Sequence, residues 1–404
     1  MAEKRNIDEL AIFGGPRLFG GPKPTSNLAR PEFGRFLEYS RIFFDQRQYT
    51  NAVVVRQLEN RLAAFHQADF CIAFCSGFWA LALAIRALAL PGKGEIVMPS
   101  FTYRRMADIA AWLKLKPHFC DVEDGTLASS VATVRPCINE ETALIVGVHP
   151  IVDLCDIGGL VDLAKNMNVP LIFDSVESVY ESFGGRAIGS FGAAEVFSLG
   201  ASKLLNGFEG GYVTTNDAKL ADGLAMMRDL GRSESRDAAA PGGLNARLNE
   251  IHAAMALAAL DDLQEQVARN RERYLAYRRL LAGVEGMRLL EFDEAHRPGY
   301  KNIVVEVLPD WPLSRDDTVS ILNAEMILGR AYYTPPLHRK PMAYPHVPAE
   351  LPITDRLAER FILFPCGHLV TTGDIAEIVD VLRFISTNSS PIEARLLQRR
   401  RERE

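Results

Sequence analysis

Long hydrophobic runs are missing from this chain. No uninterrupted apolar stretch is long enough to span a bilayer. A surplus of positive charge is missing too. Against 51 Asp and Glu there are 45 Lys and Arg, a formal charge of −6, which argues against a nucleic-acid-binding face. The opening residues Met1-Ala2-Glu3-Lys4-Arg5-Asn6 contain no apolar segment of the secretory type, so the cytoplasm is the expected compartment. Cys71 and Cys75 have no second Cys/His pair at zinc-ligand spacing, and no metal site is expected. With Cys120, Cys137, Cys155 and Cys366 they lie mostly in apolar surroundings, such as Phe70–Cys75, and read as buried free thiols. No internal repeat is visible. The remainder is the composition of a globular protein, 48% hydrophobic and 24% charged. A length of 404 residues is large for one core and indicates two or three domains.

Along the chain, Gly14-Gly15-Pro16 and Gly20-Gly21-Pro22 mark residues 1–30 as an extended arm. Asn51 to Phe65 has apolar residues at helical spacing. Strands then alternate with helices. Cys71–Phe74, Glu95–Met98, His118–Asp121, Ala143–Val148, Pro170–Asp174 and Val196–Ser198 read as strands, with helices such as Ala80–Leu90, Met106–Lys114 and Gly159–Asn166 between them. The alternation predicts an α/β fold with a mostly parallel sheet, in a domain covering 31–260. One continuous helical pattern, about 249–281, leads into a smaller α+β domain at 261–390. That domain holds strand Ile303–Leu308 and helices Arg315–Ala324 and Gly373–Phe384. Residues 391–404 form a charged tail, expected as a solvated or frayed helix.

The chemistry concentrates between Val169 and Gly211. An apolar run, Val169-Pro170-Leu171-Ile172-Phe173, ends in Asp174. Such a run reads as a strand buried on both faces, and ligands of open parallel sheets bind beyond the strands' carboxyl ends. A carboxylate there is costly unless paired; a protonated pyridine nitrogen would pair it, and so would the next helix, as a cap. Lys203 lies in a small, apolar segment with no adjacent acid, where desolvation would depress its pKa and free the amine to attack an aldehyde. Ser198 offers a hydroxyl, and Gly210-Gly211 permit a close turn. Together these fit pyridoxal 5'-phosphate (PLP) held as a Schiff base on Lys203.

These residues resemble the DegT/StrS family of PLP-dependent sugar aminotransferases. The family's strand-end Asp and its "GSFG…FSF…K…GEGG" run appear here as Asp174, Gly189-Ser190-Phe191-Gly192, Phe197-Ser198, Lys203 and Phe208-Glu209-Gly210-Gly211. Cys75-Ser76-Gly77, Pro99–Tyr103, Leu244–Glu250 and Tyr333–His338 resemble further family segments, and the likeness runs from about Gly14 to about Ile385. It implies the PLP-dependent transferase fold of type I and a cycle through pyridoxamine phosphate with glutamate or glutamine as donor. Lys203 and Asp174 would be catalytic. Ser76, Gly77, Phe78, Tyr103, Glu177, Ser198 and Asn245 would complete the cofactor site, with Tyr103 stacked on the ring. Asn245 would serve the neighbouring subunit of a homodimer. Arg104, His149, Arg247 and His338 are candidates for substrate.

Several positions depart from the family. The usual Ser-Gly-Thr turn is Ser76-Gly77-Phe78-Trp79; the residue near the ring is Glu177 instead of Gln or His; the glycine of "H-x-x-G" is lost at Val152; and Gly200 replaces a frequent His. Glu177 could hold a proton, bind a substrate amine or cap a helix. Arg104-Arg105 could bind an anionic group or form a helix-surface pair. The expected acceptor is a keto sugar or related polyhydroxylated ketone or aldehyde of secondary-metabolite or glycan synthesis. A PLP lyase of the same fold and a non-catalytic regulatory homologue remain as alternatives.

Overall fold

The computed structural model describes residues 4–46, 52–232 and 242–402. Asn51, expected to open a helix, and the outermost residues of arm and tail lie outside them. In chain order the described strands are β1 Phe70–Phe74, β2 Glu95–Pro99, β3 Lys116–Cys120, β4 Thr142–Val148, β5 Leu171–Asp174, β6 Ser182–Phe183, β7 Arg186–Ala187, β8 Ala194–Ser198, β9 Gly211–Thr215, β10 Met287–Leu289, β11 Ile303–Val307, β12 Arg330–Ala331 and β13 Phe361–Phe364.

Seven of them form one sheet in the order β1-β9-β8-β5-β4-β2-β3. Only β9 runs antiparallel to its neighbours in it. All seven residues of β4 are buried, as helices on both faces require. The small sheet, β10-β11-β13-β12, is antiparallel, and β6 and β7 make a separate hairpin. The parallel register aligns the carboxyl ends of β4, β5 and β8, with Val148 paired to Asp174 and Asp174 to Val196. Residues following those ends therefore gather in one place.

Three expectations are corrected. The pattern at 249–281 is two helices, Glu250–Asp261 and Leu263–Leu281, divided at Asp262 (φ −92°, ψ 0°). The Asp262 carboxylate accepts a hydrogen bond from Glu32 N at 2.8 Å and pairs with Arg35 at 2.5 Å, so a contact from the start of the chain marks the break. The N-terminal arm contains two 3-10 turns, Ile7–Glu9 and Ala11–Phe13. It is tied to the small domain by buried Glu325, which accepts from Ala11 N and Leu18 N at 2.8 Å each and pairs with Lys4 at 3.0 Å. The tail is a docked helix, Ser389–Arg401, that buries Ile392 and Leu396 one turn apart. Of the cysteines, Cys75 and Cys137 are half-buried and the other four are buried. No helix among the described residues is long and apolar enough to cross a membrane.

Candidate active site

A cleft of about 270 Å³ opens beyond the carboxyl ends of β4, β5 and β8. Its lining includes Gly77, Phe78, Tyr103, His149, Asp174, Glu177, Ser198 and Lys203. Asp174, the last residue of β5, is 9% exposed and accepts a hydrogen bond from Val176 N at 3.2 Å. Burial pushes its carboxyl up to about 6, against the pull of that N–H and of Lys203. Such a group gains from a cationic N–H partner at its free lone pairs.

Lys203 sits on a loop closed by its own backbone. Leu199 N bonds Gly210 O at 2.9 Å, Gly207 N bonds Leu199 O at 2.8 Å and Ala201 N bonds Phe208 O at 3.0 Å. The N-terminal arm braces it, Asn27 N donating to Ser202 O at 3.2 Å. No acid adjoins Lys203 in the chain, but the fold brings one to it. Lys203 Nζ donates to Glu177 Oε1 at 2.6 Å. Burial lowers the affinity of Nζ for its proton, but the Glu177 and Asp174 carboxylates outweigh it and hold the ammonium above its ordinary value. The expected depression is therefore reversed in this state. Glu177 also meets Lys301 and, at 3.1 Å, Asn302 Nδ2. Its carboxyl lies well below the usual range, because the two lysines overcome burial.

The helix Gly77–Leu88 points its N-terminus at the cleft, with Ser76 as N-cap accepting from Trp79 N at 3.3 Å. First-turn N–H groups at Gly77 and Phe78 have no intrahelical partner and suit an anion. Two glycines let β8 and β9 pass beneath this turn. A Cβ on Gly211 would fall 2.5 Å from Gly77 N and Cα, and one on Gly77 would fall 2.9 Å from Ser198 Cβ. Gly211, at the end of the loop, is thus a close-approach requirement of the backbone.

His149 is 3% exposed and stacks on Phe173 with ring centroids 5.4 Å apart. Its Nδ1 accepts from Cys155 N at 3.3 Å, which assigns the proton to Nε2. Nε2 is buried and makes no hydrogen bond within the protein. Burial, with His296 nearby, lowers the imidazole to about 3, so it is neutral.

Five expected residues are not in the cleft lining, Ser76 among them as the N-cap described above. Asn245 and Arg247 lie outside the cleft lining, bonded to each other at 3.1 Å, with Arg247 paired to Asp229 at 3.2 Å. Arg104 lines an adjoining pocket of about 350 Å³ with Arg105 and Lys340; it shares Thr102 and Tyr333 with the cleft. His338 Nδ1 is bonded to Ser100 Oγ at 2.7 Å and its Nε2 lies 3.1 Å from the Asp355 carboxylate, away from the cleft. Sequence reasoning missed Thr102, Ser202, Lys301, Asn302 and Tyr333 as site residues. Tyr333 had a signal in the Tyr333–His338 segment; Lys301, in Tyr300-Lys301-Asn302, had none.

Residues 35–383 match the model of the DegT/DnrJ/EryC1/StrS aminotransferase family. The chain belongs to that family. It is a PLP-dependent aminotransferase. It is 29% identical over 331 residues to UDP-N-acetyl-3-dehydro-alpha-D-glucosamine 3-aminotransferase of Acidithiobacillus ferrooxidans, covering 81% of this chain and 87% of that one. It is 28% identical over 361 residues to L-glutamine:2-deoxy-scyllo-inosose aminotransferase of Streptomyces fradiae, covering 81% and 84%. The crystal structure of DesI in the presence of its TDP-sugar product superposes with a TM-score of 0.89 at 32% identity, covering 96% of this chain and 99% of that one.

The cleft of this aminotransferase fits its cofactor in three respects. Asp174 is a buried carboxylate suited to a pyridinium N–H. The Gly77 turn is a helix N-terminus kept open by glycine contacts. His149 Nε2 is a buried donor with no partner in the protein.

Proposed function

We propose that this aminotransferase moves an amino group from L-glutamate or L-glutamine to a keto sugar or a related polyhydroxylated ketone or aldehyde, in secondary-metabolite or glycan synthesis in the cytoplasm. The observation that supports it is the meeting of Lys203, Asp174 and the Gly77 turn in one cleft. The named relatives, acting on a UDP-linked dehydro sugar and on a deoxy-inosose, support the acceptor class.

PLP, when bound, supplies an electron sink at the donor's α-carbon and carries the amino group between two substrates. Asp174 would hold a proton on the ring nitrogen. Lys203 Nζ would take a proton from the donor's α-carbon and return it on the cofactor side, as general base and then acid. Ser198, Ser76 and the N–H groups of Gly77 and Phe78 would hold the phosphate. Tyr103, at the mouth and 51% exposed, would cover the ring. His149 Nε2 would donate to a ring substituent rather than to substrate. Arg104, in the adjoining pocket, would meet the acceptor, whereas His338, held by Ser100, would not. Two half-reactions sharing one cleft give ping-pong kinetics.

The proposed active unit is a homodimer in which Asn245, and Arg247 beside it, complete a second copy's cleft. Phe33, Leu37 and Phe44 on the helix Phe33–Gln46 and Ile251 on Glu250–Asp261 support this, being 68%, 39%, 66% and 50% exposed. Large apolar side chains so placed suit a protein interface.

The test is the absorbance of purified holoenzyme before and after L-glutamate, followed by a screen of keto sugars and keto-cyclitols with mass detection of the amine. A glutamate-dependent change of the cofactor band and an aminated polyol support the reading. A band unmoved by glutamate and glutamine refutes it.

A further inference from the structure

Glu177 is the meeting point of two lysines from different parts of the fold. Oε1 receives Lys203 at 2.6 Å; Oε2 receives Lys301 and, at 3.1 Å, Asn302. Glu177 follows β5 and Lys203 follows β8, both of the large sheet, whereas Lys301 lies just before β11 of the small one. Lys301 is 7% exposed. A buried ammonium is costly even when paired, and Lys301 is not among the residues lining the cleft.

Consider the pair without it. Glu177 and Lys203 alone would form a closed ion pair that favours the ammonium, while the proposed chemistry needs the amine. When Lys203 lost its proton, a buried carboxylate would be left with no counter-charge. With Lys301 present, the three groups pass from one net positive charge to zero, and Glu177 keeps a cation in both states.

We propose that Lys301 is a positioning residue that anchors Glu177 as a shared counter-ion, so that Lys203 can lose and regain its proton without stranding a buried carboxylate. This rests on Lys203 being the reactive amine of the proposed function. Lys203 is faced by Glu177, Asp174 and Tyr103, and Lys301 by Glu177, Lys203 and Cys366. Asp174, Glu181 and the Tyr332 and Tyr333 hydroxyls are the other titratable groups in the field of Glu177. The directions agree with the geometry. Burial, together with Lys203, holds Lys301 below its ordinary value although Glu177 opposes them. Lys301 therefore gives up its proton more readily than Lys203 as pH rises, and it serves Glu177 as a cation below that point.

The test is competitive acylation of Lys203 in the full chain freed of cofactor, followed across pH by peptide mass spectrometry. At a fixed neutral pH, where Lys301 is still charged, Lys301→Met should lower Lys203 reactivity about tenfold; Lys301→Arg should restore it. Glu177→Gln should lower the midpoint. The double variant Glu177→Gln/Lys301→Met should lie close to Glu177→Gln, since no carboxylate is left to strand, and it keeps the test readable where Lys301→Met fails to fold. Wild-type Lys203 reactivity in Lys301→Met, or a Lys301→Met effect undiminished in the Glu177→Gln background, overturns the proposal. Labelling needs no amino donor, so failure of the proposed function appears separately, as a holoenzyme unmoved by glutamate.

Discussion

At the scale of the residue, the cleft depends on Lys203, which Glu177 pairs, and on Asp174, whose charged form burial disfavours. Lys203→Ala should fold as wild type and lose transamination by at least roughly 10³-fold, since the proton carrier is gone; turnover and thermal unfolding check both halves. Asp174 gives a pH prediction. Its folded carboxyl is pushed up to about 6 from an ordinary 3.8. A raised acid contributes stability below its unfolded value and loses it as pH rises through the folded one. Cofactor-free wild type should therefore lose stability relative to Asp174→Asn between about pH 4 and pH 6, on the order of 3 kcal/mol. Above that window the difference should be flat, and denaturant melts at several pH values measure it. Lys203 teaches the complementary point. Its partner Glu177 stands 26 residues earlier, so a reading of the local segment finds no acid, and only the adjacency of β5 and β8 brings the two together.

At the scale of the element, close packing and remote caps decide stability. Gly211→Ala places a Cβ 2.5 Å from the Gly77 backbone, where neither β9 nor the helix turn can yield. We expect a cost of about 1–3 kcal/mol and weakened cofactor retention, read by melting temperature and by cofactor dissociation. The helix Val53–His66 has Ala52 at its N-cap and no side-chain cap of its own. Buried Glu250 supplies the acceptor instead, taking Ala52 N at 2.8 Å and Val54 N at 2.7 Å. Glu250→Ala strands those N–H groups and should cost about 2–3 kcal/mol, visible in chemical denaturation with the cleft residues intact. The division of 249–281 at Asp262 belongs here too. No Pro or Gly marks the site, and the contacts at the break come from Glu32 and Arg35.

At the scale of the whole molecule, the proposed dimer makes each cleft a joint product. Inactive Lys203→Ala and an Asn245→Ala variant impaired in phosphate retention should complement when mixed and refolded. One of the two clefts in a mixed dimer would then hold both intact residues. Activity above either parent, together with a sedimentation mass of twice the 44.8 kDa chain, is the expected result. No gain on mixing would count against shared sites. Arm and tail join the same fabric, since Arg395 of the last helix lies over the Phe13 ring, 4.6 Å from its centroid.

The sequence by itself determined the strand-helix alternation, the strand ending in Asp174 and the glycine-framed loop carrying Lys203. Each is written in a short window: apolar runs specify buried strands, and Gly211 is required by backbone approach. The family resemblance carried the cofactor along with them. Tertiary structure alone decided that Lys203 meets Glu177, that Lys301 completes the pair, that His149 turns an unpartnered Nε2 inward, and that His338 braces Ser100 and Asp355. It also folded the arm onto Glu325 and docked the tail through Ile392 and Leu396. The physical reason is common to all of these. A charge or donor buried between elements is matched by whichever group the packing brings beside it, and separation along the chain does not encode that group.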